Sequence, residues 1–387
     1  MAQRKSSGKY IKMAGYEAFI PDPLPPEIEW NRRLIRCLSD ADRFIGRLSG
    51  EGQKLPNPHL LIRPFIKREA VLSSRIEGTQ ATLGELLAKD AGAEVNRSPD
   101  DLREVGNYVT ALEYGIQRLN ALPLSLRLIR ELHETLMKGV RGNSATPGQF
   151  RKSQNWIGPA GCTLQNASYI PPPPDKLMDC LDEWEQFLHD RKTPPLIQAA
   201  LLHYQFEAIH PFLDGNGRLG RLLIILFLVE RKILSAPFLY LSVFFEITRS
   251  EYYSHLAAVS QKSLWNPWLE YFLNGIARMS EDAISRANRI TRLLEQWHQI
   301  VTAEKPKILH DVINLLAENP FWTINKIADR LQVAFTTAQR AVNVLIGKSI
   351  VSQVDDVRRG RVYCANEIMK ILDEPPLMNT STTKHLD

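Results

Sequence analysis

Apolar residues recur at spacings of three and four over residues 28–48 and again over 102–119, which predicts two amphipathic helices. A third opens after Pro123, runs to about Met137 and meets a stop signal at Gly139. Residues 141–174 break the pattern, being rich in Gly, Asn, Ser and Pro; a connection that long is usually functional or disordered. Helical periodicity returns at 175–189 and 195–209, then in a strongly apolar helix over about 218–230. Further helices are predicted at 250–260, 265–279 and 284–301. Strand patterns are scarce before residue 350, so the main body reads as all-α. The tail then changes character. TINKIADRLQVAFTTAQRAVNVLIGKSI reads as helix, short turn, helix, and IVSQVDDVRRGRVYC as two short strands around a basic turn at 358–361. Helix–turn–helix plus hairpin is the winged-helix pattern. Residues beyond Pro376 are polar and are expected to fray.

Composition narrows this only a little. The 387 residues suffice for two or three domains, and 44% apolar with 24% charged residues is ordinary for a globular chain. The first residues hold no apolar core of a secretory signal, and the longest apolar run, LLIILFLV at 222–229, is too short to span a bilayer. A soluble, cytoplasmic protein without membrane association is the expectation. Four scattered cysteines with no C-x-x-C spacing argue against a disulfide framework or a thiolate metal site. A net charge of +5 is compatible with polyanionic partners but does not by itself indicate nucleic acid.

The densest chemistry lies at 210–221, HPFLDGNGRLGR. Its GNGRLG satisfies the G-x-G-x-x-G dinucleotide fingerprint, but that fingerprint needs a preceding strand and an acid about 20 residues on. Here a helix precedes it, Glu230 follows too closely and Glu246 lies in another context. No P-loop sequence is present either. What remains is a glycine-rich turn leading into a helix, where backbone N–H groups and the helix dipole favour an anion. Arg218 and Arg221, three apart, add two forked cations on one face, which suits a polyphosphate. Asp214 has the wrong sign for phosphate and is the candidate ligand of a divalent metal carried by those phosphates. His210 is the candidate proton acceptor, whereas His203 and Phe212 read as core.

The same twelve residues match every defined position of the Fic-family signature, H-x-F-x-[DE]-G-N-G-R-x-x-R. GQFRKSQNWIG (148–158), SYIPPPP (168–174) and LIQAALLHYQFEAIH (196–210) extend the likeness. The chain therefore resembles proteins that transfer AMP from ATP to a hydroxyl side chain of a target protein. The resemblance implies a helical core with a small β-hairpin flap, and a role for each motif position. His210 would be the base. Asp214 would bind Mg²⁺, and the Gly215–Asn216–Gly217 backbone, with the Asn216 side chain, would form an anion hole. Arg218 and Arg221 would grip the outer phosphates. Catalysis of this kind is chiefly positioning and charge neutralisation. The implied layout is an N-terminal helical region (1–100), a catalytic core (101–280), a helical linker (281–304), a winged helix (305–374) and a flexible tail (375–387).

A second segment, LLIRPFIKREAVLSSRIEGTQATL, holds Ser73 and Glu77-Gly78, which fit the family's inhibitory pattern [ST]-x-x-x-E-[GN]. An acid at the end of an apparent helix opposes the helix dipole, so Glu77 is either solvated or paired with a distant cation. The resemblance implies pairing with Arg221, which would block the γ-phosphate seat. It also implies that Ser168, Tyr169 and Ile170, ahead of the stiff proline run, belong to a flap that docks the target by strand addition. The acceptor would be a Ser, Thr or Tyr of a target or of the chain itself, and homodimers are compatible with the family. A rival reading makes the chain a DNA-binding transcriptional regulator. In that case Thr336, Thr337, Gln339 and Arg340 would meet base edges, and Arg358, Arg359 and Arg361 phosphates, with Asp355 and Asp356 offsetting the wing's charge.

Overall fold

The predicted amphipathic stretches form α1 (Arg32–Lys54), α4 (Pro99–Arg118), α5 (Leu126–Leu136) and α6 (Leu177–Leu188). The computed structural model describes residues 6–54, 58–140, 146–159, 161–304, 307–354 and 361–376. At its centre stand α7 (Pro195–Ile209) and α8 (Asn216–Glu230), whose residues are buried on nearly every side. Helices apolar all round belong in an interior, and these two are enclosed by the amphipathic ones. Glycines permit the closest approaches. A side-chain carbon at Gly115 of α4 would strike Leu226 of α8, and one at Gly220 of α8 would strike Glu207 of α7.

Between α1 and α4 lie α2 (Pro58–Ile76) and α3 (Leu83–Asp90). Gly78, at φ +102°, ends the α2 segment, and a capping box of Thr82 and Glu85 opens α3. After α8 come α9 (Ser242–Ile247), α10 (Arg249–Lys262) and α11 (Trp265–Val301). The last is one uninterrupted helix of 37 residues packed along α1. The break expected between 279 and 284 is absent, and the boundary drawn at 280/281 cuts through regular helix. Buried Ser280, Ala283 and Ile284 continue the apolar stripe there, so packing carries the helix onward.

The body is not wholly helical at its start. Residues 8–21 form a hairpin, β1 (Gly8–Met13) paired antiparallel with β2 (Tyr16–Pro21) around a two-residue turn with Gly15 at φ +91°. The helical region expected over 1–100 therefore begins with strands. The signal was short: alternation broken by Ala14-Gly15.

The C-terminal unit contains α12 (Ile308–Glu318), β3 (Phe321–Thr323), α13 (Ile324–Leu331), α14 (Phe335–Gly347), β4 (Ser352–Gln353), β5 (Val362–Cys364) and α15 (Asn366–Asp373). Its antiparallel sheet runs in the order β3–β5–β4, with Phe321 and Ser352 flanking Cys364. Residues 355–360, including Arg358 and Arg359, and the tail from 377 lie outside the described residues. The unit is mounted on the body through α12 against α2 and α15 against α11. At that junction Arg286 of α11 pairs with Asp282 at 2.7 Å and donates to the carbonyls of Ile371 and Glu374. Arg68 of α2 donates to the same Glu374 carbonyl at 3.0 Å. Among the described residues no helix is long and apolar enough to cross a membrane.

Candidate active site

The α7–α8 junction brings the 210–221 residues together. His210 leaves α7 in the left-handed region at φ +50°, a conformation a non-glycine residue keeps only when neighbours impose it. Those neighbours are Arg151 and Asn155. Arg151 Nε and Asn155 Nδ2 donate to the His210 carbonyl at 3.0 and 3.1 Å, and Asn155 also donates to the Phe212 carbonyl at 2.8 Å. Gly215, at φ +80°, then caps α8. Its first-turn N–H groups, at Asn216, Gly217 and Arg218, point out of the helix without intrahelical partners.

The His210 Nδ1 lies 3.3 Å from the Glu207 carbonyl, an acceptor, so Nδ1 carries the proton and Nε2 keeps its lone pair. Burial pushes the imidazole down to about 4, leaving it neutral at pH 7. His133 is the support below. Gly148 N–H donates to its Nδ1 at 2.9 Å, its Nε2 donates to the Asp214 carbonyl at 3.0 Å, and its ring stacks on Phe212 at 3.7 Å. Burial drives its pKa to about 4 as well. The Asp214 carboxylate stays 55% exposed, with one oxygen accepting from Gly215 N–H at 2.6 Å.

One expectation needs correction. The Asn216 side chain does not face an anion: it accepts from Phe212 N–H and donates to Phe212 C=O, both at 2.9 Å, and so closes the loop. The two arginines take separate partners within the chain. Arg218 turns towards Glu104 of α4, 3.2 Å away, which also accepts from Thr79 at 2.8 Å. Arg221 is 2% exposed and turns towards the tip of α2. Its Nε donates to Ser73 Oγ at 2.9 Å, and its Nη2 to the Ser73 carbonyl at 2.8 Å and to Glu77 Oε1 at 2.7 Å.

Glu77 is therefore paired, although its side chain stays 36% exposed. Burial works against its charge, but Arg221 beside it holds the carboxyl below the usual glutamate range. Burial likewise opposes the Arg221 charge, and Glu77 more than restores it. A side-chain carbon on Gly217 would collide with Glu77 Oε1, so the carboxylate sits directly over the first turn of α8. That is the place a helix N-terminus offers an anion.

Beside it opens a cavity of about 600 Å³, lined by Glu77, Ser168, Tyr169, Glu207, Arg249 and Tyr253 among others. Among the described residues the flap meets its opposite arm at a single bridge, Ile157 with Tyr169. Its expected docking residues are partly committed. Tyr169 donates its hydroxyl to the Ala208 carbonyl at 2.8 Å, and the Ile170 carbonyl accepts from Phe19 N–H of β2 at 2.8 Å. Ser168 remains at the cavity. His203, as expected, is core, bonded to the Tyr252 hydroxyl at 2.8 Å.

Sequence reasoning missed Glu104, Glu207, His133, Arg151 and Asn155 as site residues. Arg151 and Asn155 stood in the quoted GQFRKSQNWIG, where polar residues in an irregular stretch were the available signal.

Residues 35–117 match the family described as "Fic/DOC family N-terminal", and residues 123–228 match "Fic/DOC family". Residues 35–117 and 123–228 thus carry the two domains of the Fic/DOC family. Over 154 residues it is 31% identical to "Protein adenylyltransferase Fic" of Drosophila virilis, covering 38% of this chain and 30% of that protein. Its Drosophila melanogaster counterpart is 30% identical over 154 residues, 38% of this chain and 29% of its own. The match thus spans less than a third of these curated relatives. A solved Fic family protein from Desulfovibrio desulfuricans G20 shares the fold at a TM-score of 0.59 and 20% identity, over 88% of this chain and 98% of that one.

Proposed function

We propose that this Fic chain transfers AMP from ATP to a hydroxyl side chain of a protein, itself included, and that Glu77 holds the site shut. The observation that carries the reading is the Glu77 carboxylate over the α8 N-terminus, paired with buried Arg221: an anion occupying an anion seat. The nucleotide's phosphates would take that seat once Glu77 withdraws, and its base would enter the adjoining cavity. The relatives' name, adenylyltransferase, supports the same chemistry.

The target hydroxyl gives its proton to His210 Nε2 while its oxygen bonds to the α-phosphorus. The bond from that phosphorus to the bridging oxygen breaks, and pyrophosphate leaves. The backbone N–H groups of the first α8 turn bear the developing charge. Asp214 fits a magnesium ion that brings phosphate oxygens and water as its other ligands, because it offers one exposed carboxylate with its backbone pinned by His133. Such an ion would neutralise phosphate charge.

The test is labelling of protein with α- or γ-labelled ATP. Glu77→Gly should raise transfer from the α position by roughly tenfold, an ordinary size for a released inhibitory coupling. His210→Ala should abolish it. Label arriving only from the γ position would make the chain a kinase.

A second activity is favoured by the exposure of Thr336, Thr337, Gln339 and Arg340 on α14 and of Arg361 at the hairpin. Read as a winged helix, this face would meet duplex DNA. Absence of any shift of random duplex at low salt would remove that reading.

A further inference from the structure

Among the described residues, the Arg221 guanidinium donates its hydrogen bonds to one place, the tip of α2, at Ser73 and Glu77. Withdrawal of that tip leaves a buried guanidinium to find another counter-ion. Glu207 is at hand. It lies on α7, one turn before His210, with Oε1 against Gly220, the residue preceding Arg221. That oxygen is shielded from solvent and has no hydrogen-bond partner among the described residues. A buried carboxylate oxygen without a donor calls for a reason.

The charged and titratable groups around Glu207 come from four directions. Arg221 of α8 and Glu77 of the α2 tip act on it electrostatically. Arg249, Tyr252 and Tyr253 approach from α10, Tyr169 from the flap, and His203 and His210 stand on α7 itself. Within this set Arg221 attracts the carboxylate and Glu77 repels it.

We propose that Glu207 is a positioning residue for Arg221: ionised, it competes with Glu77 for the guanidinium and opens the phosphate seat, and neutral, it leaves Glu77 in place. The proposal rests on the transferase reading above. Burial raises the Glu207 carboxyl to about 7, Arg221 opposes that rise, and Glu77 adds to it. Coupling is reciprocal, so if seated Glu77 disfavours ionised Glu207, ionised Glu207 must weaken the seating of Glu77 by the same free energy.

Two measurements on the full chain test this. In α-labelled ATP assays the wild-type KM for ATP should fall roughly fivefold, a modest coupling, between about pH 6 and pH 8, relative to Glu77→Gly over the same range. Glu207→Gln should lose that dependence and keep the KM of the acid limit, while Glu207→Asp retains it. Profiles of Glu207→Gln and wild type that coincide would overturn the proposal. The second measurement needs no catalysis. The ¹³C carboxyl titration of Glu207, identified by its disappearance in Glu207→Gln, should move to lower pH in Glu77→Gly, and an unmoved midpoint would also overturn it. If Glu77→Gly transfers no label but the midpoint moves, the transferase reading fails and the carboxylate competition stands.

Discussion

Glycine at 217 is what lets a carboxylate rest on the first turn of α8, since any side chain there would meet both Glu77 Oε1 and the Arg221 guanidinium. Gly217→Ala should therefore dislodge Glu77 without restoring transfer, because the added methyl also fills the phosphate seat. The expected outcome is a higher KM for ATP than in Glu77→Gly, read by titrating labelled ATP. Asp214→Asn keeps the His133 contact, which uses the backbone carbonyl, and removes only the charge. It should depress transfer and weaken its response to added Mg²⁺ while leaving the melting temperature within a degree or two, as surface changes generally do. Both residues were legible from the motif, because their chemistry depends on residue type and short spacing. Glu104 and Glu207 were not, because an acid on a helix is ordinary until the fold aims it at an arginine.

Most of the longer helices were legible from an apolar face, but the shorter α3, α12 and α15 were not predicted although each buries one, and tertiary contacts override local signals elsewhere. The N-terminal hairpin and the continuity of α11 are the two instances. A two-residue turn with one glycine is a weak mark, and the β2 strand is stabilised partly by Phe19 bonding to the flap at Ile170. Element packing makes its own predictions. Gly115 of α4 faces Leu226 and Leu132, so Gly115→Ala overpacks the α4–α5–α8 contact and should cost about 1–3 kcal/mol in urea unfolding. At the α11–α15 junction, Arg286→Ala strips a salt bridge from Asp282 and leaves the Ile371 carbonyl short of a donor, while the Glu374 carbonyl keeps Arg68. Breaking a buried pair in this way should cost about 3–5 kcal/mol, and a urea midpoint equal to wild type would contradict it.

Across the whole molecule, burial holds three histidines neutral, His133 and His210 at about 4 and His203 at about 3. In the unfolded chain each titrates near 6.5, so acidification below that value protonates the unfolded state first and stability is lost as pH falls towards 4. Glu207 acts in the opposite sense. Its folded carboxyl, raised to about 7 from an unfolded value near 4.5, contributes stability that is lost as pH rises between those values. Among these four groups, three protons against one give a fall on acidification, about 2–3 kcal/mol per pH unit at most between about 6.5 and 4.5; His255 and His298, also lowered by burial, add to it and Glu69, raised by burial, opposes it. Urea midpoints at pH 7 and pH 5 check the sign, and Glu207→Gln should steepen the fall. By itself the sequence determined the helical body, the glycine-rich turn that opens α8 and the candidate base, all of which follow from periodicity and from residue chemistry over twelve positions. Tertiary structure alone decided that Arg218 faces Glu104 and that Glu207 lies by Arg221's helix. The Glu77–Arg221 pair, across 144 residues, was implied by the family motifs, but Arg218 and Glu104, 114 residues apart, left no local pattern to read.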